Sequence, residues 1–180
     1  MDIQGEISVS HGENQDSLLR VTDDVGNVSY TTTRIEDKWI PKASISFIKT
    51  YDLFDINDRI SIRGEFYYNH AGYSYNVFED QQSLLTLLGS GLYEPNHVSK
   101  YYAALFTGIQ RFIVTEAYLS LNLISNLDDR SGIIYASFRY NPWYDFYIDL
   151  TASFTLGDGR DEYTFAGSDK TFGLEFIYRF

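Results

Sequence analysis

From Asp145 to Leu156 the chain alternates without a break. Phe146, Ile148, Leu150, Ala152, Phe154 and Leu156 fall on one side, and Asp145, Tyr147, Asp149, Thr151, Ser153 and Thr155 on the other. A period of two is the signature of a β-strand, whose successive side chains point to opposite faces. The final segment repeats it: Phe172, Leu174, Phe176, Tyr178 and Phe180 alternate with Thr171, Gly173, Glu175, Ile177 and Arg179. Upstream, Ala117, Leu119, Leu121 and Leu123 oppose Glu116, Tyr118, Ser120 and Asn122, and Ile60, Ile62, Gly64, Phe66 and Tyr68 oppose Arg59, Ser61, Arg63, Glu65 and Tyr67. Fainter alternation covers 3–10, 43–48 and 133–140. Residues 101–112 are apolar on both sides in places, so their apolar face is left unassigned. The pattern predicts eight strands and no helix-period core.

The connections alternate too. The gaps at Asp52–Asp58, Arg111–Val114 and Asn141–Trp143 are short. Residues 11–40 and 70–100 are long, 157–170 is intermediate, and Leu127–Gly132 is brief. Short turns on one side and long loops on the other are the habit of outer-membrane barrels, with the long loops extracellular. The chain is read as one domain, 1–180, an all-β antiparallel up-and-down transmembrane β-barrel. It is either a complete small barrel or the C-terminal part of a larger one. Its beginning inside a strand, without a leader, favours the larger one. A lipocalin-like soluble barrel would alternate in the same way with its apolar face inward, and alternation alone does not separate the two.

Composition changes the picture in one respect. The chain holds 16 Tyr and 13 Phe with no Cys, yet its mean hydropathy is only −0.25. No apolar run approaches the roughly 18 residues of a membrane helix. A barrel reconciles these facts, because only alternate residues meet lipid. Tyr101, Tyr102, Tyr140, Trp143, Tyr144, Phe146, Tyr178 and Phe180 fall near strand ends, where aromatic girdles sit. The net charge of −11 argues against nucleic acid as a partner.

The ending Gly173, Leu174, Phe176, Tyr178 and Phe180 resembles the terminal strand of bacterial outer-membrane β-barrel proteins, which close on an aromatic residue preceded by alternate apolar residues. The resemblance implies a Gram-negative outer-membrane location, contact with membrane lipid and lipopolysaccharide, and recognition by the barrel-assembly machinery. On this reading the interior carries Glu6, Arg59, Arg63, Glu65, Glu116, Arg139, Asp145, Asp149, Glu175 and Arg179. These charges either pair and plug a narrow barrel or line a wider aqueous path.

The expected function is porin-like passage of small hydrophilic solutes. The alternative is a closed eight-stranded protein with structural or surface-binding (adhesin-like) duties. No cofactor or metal site is expected, and the oligomeric state is left open. The histidines, His11, His70 and His97, fall in or beside outer loops without a catalytic motif, so no enzyme is expected, although Ser10 or Ser74 could approach His11 or His70. Residues 17–34 read as an exposed hairpin about Asp23–Asn27, a projecting extension of the first two strands. Glu79–Leu88 is the one helical candidate. Asp158, Asp161, Glu162 and Asp169 read as a solvated acidic loop able to gather divalent cations, without the spacing of an EF-hand.

Overall fold

The computed structural model describes residues 2–11, 15–36, 38–53, 56–166 and 169–179. Ten strands form: β1 Asp2–His11, β2 Gln15–Thr22, β3 Val28–Ile35, β4 Trp39–Leu53, β5 Ile56–Asn69, β6 Tyr101–Gln110, β7 Ala117–Asn126, β8 Ser131–Trp143, β9 Phe146–Leu156 and β10 Lys170–Tyr178. One helix, α1 (Gln81–Gly89), lies between β5 and β6. Eight strands make one antiparallel sheet in the order β1-β4-β5-β6-β7-β8-β9-β10, a meander in which each strand pairs with the next. The hairpin β2-β3 is a separate two-stranded sheet.

Register sorts the side chains of the large sheet. Ile7 pairs with Ala43, Ile45 with Phe66, Leu105 with Leu123, Leu121 with Ala136, Phe138 with Leu150 and Leu150 with Leu174. Partners in an antiparallel pair share a face, so one continuous apolar face crosses all eight strands. The other face carries Ser44 beside Glu6, Glu65 beside Ala104, Ser120 beside Ser137 and Glu175 beside Asp149. Within 101–112 the strand ends at Gln110, and its faces are resolved by this rule. Ala103, Leu105 and Ile109 join the apolar face, whereas Tyr102, Ala104, Phe106 and Gly108 join the polar one.

No layer of protein covers the apolar face among the described residues. Ile7, Leu121 and Phe176 are 77%, 52% and 62% exposed. The compact core lies elsewhere. Leu18, Val77, Phe78, Leu87 and Val98 cluster in the connections, joined by Tyr30, Tyr73, Tyr93 and Phe165. Hairpin β2-β3, loop 70–100 and residues 157–166 thus build a cap at the long-loop end of the sheet.

Local chemistry explains the cap elements. Asp80 starts α1 by accepting the amides of Gln82 and Ser83 at 2.8 and 3.0 Å, so the helix begins two residues later than the pattern predicted. Its C-terminus closes where Gly91 takes φ +69°, with the Leu92 amide donating to the Leu87 carbonyl at 3.1 Å. The hairpin is a correction to the sequence reading. It does not extend the neighbouring strands: β1 and β4 pair out to His11 and Trp39, and β2-β3 form their own ladder. Tyr73 ties it down, its hydroxyl accepting the Leu18 amide at 2.7 Å.

Asn141–Trp143 is also not a turn. The Asn141 amide donates to the Glu116 carbonyl at 3.1 Å, so β8 continues to Trp143 through a register shift that accommodates Pro142, which has no N–H. The turn is made by Tyr144 and Asp145.

Gly72 packs where the loop re-enters the sheet. A Cβ there would overlap the Ser99 carbonyl, next to the Tyr73–Ser99 bridge. Gly72→Ala is therefore expected to expose loop 70–100 to limited proteolysis and to lower the stability of the cap by about 1–3 kcal/mol. Gly89→Ala, with open space around its Cβ, should leave the cleavage pattern unchanged.

Candidate functional site

The charged residues singled out in the sequence divide between the polar face and its turn-side rim. Glu6, Arg63, Glu65, Arg139, Asp149 and Glu175 stand on the polar face by register. Arg59 precedes Ile60 on β5 and so shares this face, with its guanidinium donating to the Arg111 carbonyl at 3.0 Å. Glu116 and Asp145 lie in turns at strand ends, where the pattern had placed them on strands. Arg179 follows β10, its guanidinium 5.0 Å over the Tyr147 ring. In the terminal signal, Leu174, Phe176 and Tyr178 sit on the apolar face and Gly173 on the polar face opposite Thr151, whereas Phe180 lies outside the described residues.

Two ion pairs show how the charges are accommodated. Arg139 grips Asp149, its register partner on the next strand, through two bonds of 2.7 Å. Arg63 and Glu65, two apart on one strand, approach to 3.4 Å. Both pairs join neighbours within the sheet. Small side chains, among them Ser61, Gly108, Ser120 and Ser137, stand on this face beside larger ones, Tyr118, Ile124, Ile133 and Tyr135.

Toward the cap this face deepens into a cavity of about 310 Å³, lined by Glu65, Tyr67, His97, Tyr102, Ala104 and Phe106 among others. A second hollow of about 200 Å³ continues from it, shares Glu65 and Tyr67, and adds Glu6, Ser8, Lys42 and Ser44. Tyr67 is fixed by neighbouring rings, with centroids 5.5 Å from His97 and 6.4 Å from Tyr102.

Tyr102 is fixed in turn by a buried acid that the sequence did not single out for this role. Glu162 is 3% exposed. Its Oε2 accepts from the Tyr102 hydroxyl and from Asn126 Nδ2, both at 2.8 Å, and its Oε1 accepts the Asn96 amide at 2.8 Å. Its own amide donates to Asp129 at 2.8 Å. One residue therefore joins loop 70–100, β6, β7 and the β7-β8 turn.

Asp161, equally buried, accepts from Asn76 at 2.7 Å and from the Asp158 amide at 2.8 Å. The expected solvated, cation-gathering loop is thus corrected. Two of its acids face inward onto protein donors, because a buried carboxylate must have its lone pairs satisfied. Among the described residues no cluster of three or more His, Cys, Asp or Glu could hold a metal.

The histidines are also placed. His11 packs 4.5 Å from the Trp39 ring, and His70 Nδ1 bonds the Tyr68 hydroxyl at 2.8 Å. His97 Nδ1 lies 3.9 Å from Glu94. No protein-family model, curated protein or solved structure matches this chain.

Burial is the largest influence on Glu162 and raises its carboxyl above the ordinary range, against three donors that lower it. Asp161 is raised in the same direction by burial. A raised folded-state value means that the folded cap holds the proton more tightly than the unfolded chain. Cap stability is therefore greatest below the ordinary carboxylate range and declines as pH rises through the raised value. Thermal melts followed by near-ultraviolet circular dichroism should show this decline upward from about pH 4.5. Glu162→Gln should flatten its part of the slope, and an unchanged slope would reject the assignment.

Proposed function

We propose that this chain forms the wall of a porin-like outer-membrane β-barrel, with the apolar face toward lipid and the polar face lining a path for small hydrophilic solutes. The observation that carries the reading is the location of the dry core. A water-soluble β-protein buries the apolar face of its sheet; here that face is open on eight strands and the protein's only buried apolar cluster among the described residues sits in the loops. Hydrocarbon is a medium in which such a face costs nothing to expose, provided that the backbone is paired within the sheet.

The ends of the face support this orientation. Trp39, Tyr68 and Tyr101 stand at the long-loop end, and Tyr51, Trp143, Phe146 and Tyr178 at the short-turn end. Apolar side chains, aliphatic residues together with Phe47, Phe66, Phe138, Phe154 and Phe172, fill most of the zone between them. A strand such as β9, Phe146–Leu156, spans roughly 33 Å at about 3.3 Å per residue. With the tilt of about 40° usual in barrels it would cover roughly 25 Å, the height of an outer-membrane apolar band. Closure of the sheet belongs to this proposal, because β1 and β10 are the terminal strands of the order and each is paired on one side among the described residues.

A lined path is favoured over a plug by the polar face itself. Its ion pairs join neighbours along the wall, and the face keeps hollows of about 310 and 200 Å³ at its cap end. The organised cap supports a second, surface-binding role for loops 11–40 and 70–100. The terminal strand would carry the contact with the assembly machinery, and the outer rim the contact with lipopolysaccharide.

Refolding in lauryldimethylamine oxide should give a band that migrates faster unboiled than boiled on a denaturing gel, and reconstituted vesicles should pass ions. A band that does not shift, with strand signal lost, would overturn the barrel; a shifted band without conductance would leave the surface-binding role. Leu121→Arg, in the middle of the uncovered face, should cost about 2–4 kcal/mol in vesicles, whereas in water an exposed leucine would tolerate the change. Ser153→Arg, on the opposite face, should fold and lower the conductance.

A further inference from the structure

We propose that the cavity between Tyr67, His97 and Phe106 is a binding site for a pyranose sugar on the cap side of the polar face. The inference rests on the reading of that face as a solute path and names the class of solute it selects.

The site is built by register. On β6 the polar-face sequence is Tyr102, Ala104, Phe106, a small residue between two rings. On β5 the partners are Tyr67 opposite Tyr102, Glu65 opposite Ala104 and Arg63 opposite Phe106. Side chains on one face of a strand repeat about every 7 Å. Ala104 therefore opens a notch with aromatic flanks, the Glu65 carboxylate on the β5 side and Ile124 on the β7 side. Tyr102 and Phe106 stand two repeats apart, about 13 Å, and the cavity of about 310 Å³ between them accommodates a single six-membered ring.

The rings at the cap end of the notch are held before any ligand arrives. Tyr102 is pinned through its hydroxyl, which donates to Glu162 at 2.8 Å and accepts the Ser99 amide at 2.8 Å. Tyr67 packs on that ring and against the His97 edge. The backbone of His97 is fixed by Asn69, whose amide donates to its carbonyl at 2.8 Å. Pre-organised rings lose little conformational entropy on binding.

Chemistry selects the ligand. A pyranose offers an apolar C–H face to an aromatic ring and a rim of hydroxyls that both donate and accept. The hollow that continues the cavity supplies both kinds of partner: carboxylates at Glu65 and Glu6, an ammonium at Lys42, and hydroxyls at Ser8 and Ser44. Glu65 is already approached by Arg63 at 3.4 Å, which offsets its charge. A mixed, nearly balanced set gains little from a single strong ion and suits a neutral polyhydroxylated ring.

The test uses the full chain refolded in lauryldimethylamine oxide, a detergent without a sugar head group, with the heat-modifiable band scored first. Saturation-transfer NMR then measures maltose, with sorbitol as an acyclic polyol and choline as a cation. Saturable maltose binding is expected, weakened about tenfold or more, some 1.4 kcal/mol, by Tyr67→Ala and by Phe106→Ala. Tyr67→Phe should retain it within about twofold, and sorbitol should bind about tenfold more weakly.

A folded, heat-modifiable protein that binds no maltose would overturn the sugar site and leave the barrel standing. Equal binding of sorbitol, preference for choline, or full affinity in Tyr67→Ala would overturn it as well. Maltose binding without a heat-modifiable band would instead overturn the solute path while keeping the site.

Discussion

Every other property of this molecule depends on a common parity of the strands. Side chains on a strand alternate, so a slip of one residue in any of the seven pairings would turn a strand's leucines to the polar face and its serines to the apolar one. The observed registers avoid this throughout. Most hydrophobic partners meet on one side, Ile124 with Ile133 being an exception, even where neighbouring strands differ in length and where irregularities fall at Tyr51–Leu53 and Tyr140–Trp143. Both irregularities lie at the short-turn end, so they do not propagate into the middle of the sheet.

That constraint also explains why the cap has to be built as it is. The sheet contributes no enclosed apolar core, so the long connections must bury their own hydrophobic residues. Leu87 and Val77 are completely buried there, although they belong to a loop by sequence position. Attachment of the cap to the sheet then falls to polar groups. Glu162 and Asn126 form the joint, and Ser99 accepts from Asn126 at 2.7 Å. The same joint fixes Tyr102, and through Tyr102 the ring of Tyr67. The proposed sugar site is therefore mechanically continuous with the loops, because its aromatic flank is one side of a buried hydrogen-bond network.

Much of the fold was legible because a period of two is a local signal. The eight strands, the helix near 81–89 and the hairpin around Asp23–Asn27 follow from alternation and turn chemistry within short windows. The faces of 101–112 were not legible. Tyr102, Ala104 and Phe106 are as apolar as Ala103 and Leu105, and only their partners Glu65, Asn122 and Asn126 assign them to the polar side. Asn141–Trp143 misled for a related reason: Pro usually marks a turn, but the Glu116 carbonyl across the ladder keeps the strand paired up to it and β8 continues through a register shift.

The candidate site was the least legible part. Asp161 and Glu162 sit in the run Gly157–Glu162, whose composition is that of a solvated loop. Nothing local distinguishes an acid that faces water from one that faces Asn96, Tyr102 and Asn126, residues 36 to 66 positions away. The sequence by itself determined which residues alternate, roughly where each strand of the sheet lies, and that one face would be apolar, since these depend on neighbours within a few residues. Only the tertiary structure decided where the dry core lies, which acids are buried and which rings stand together, because these depend on contacts that distant segments make once the register is set.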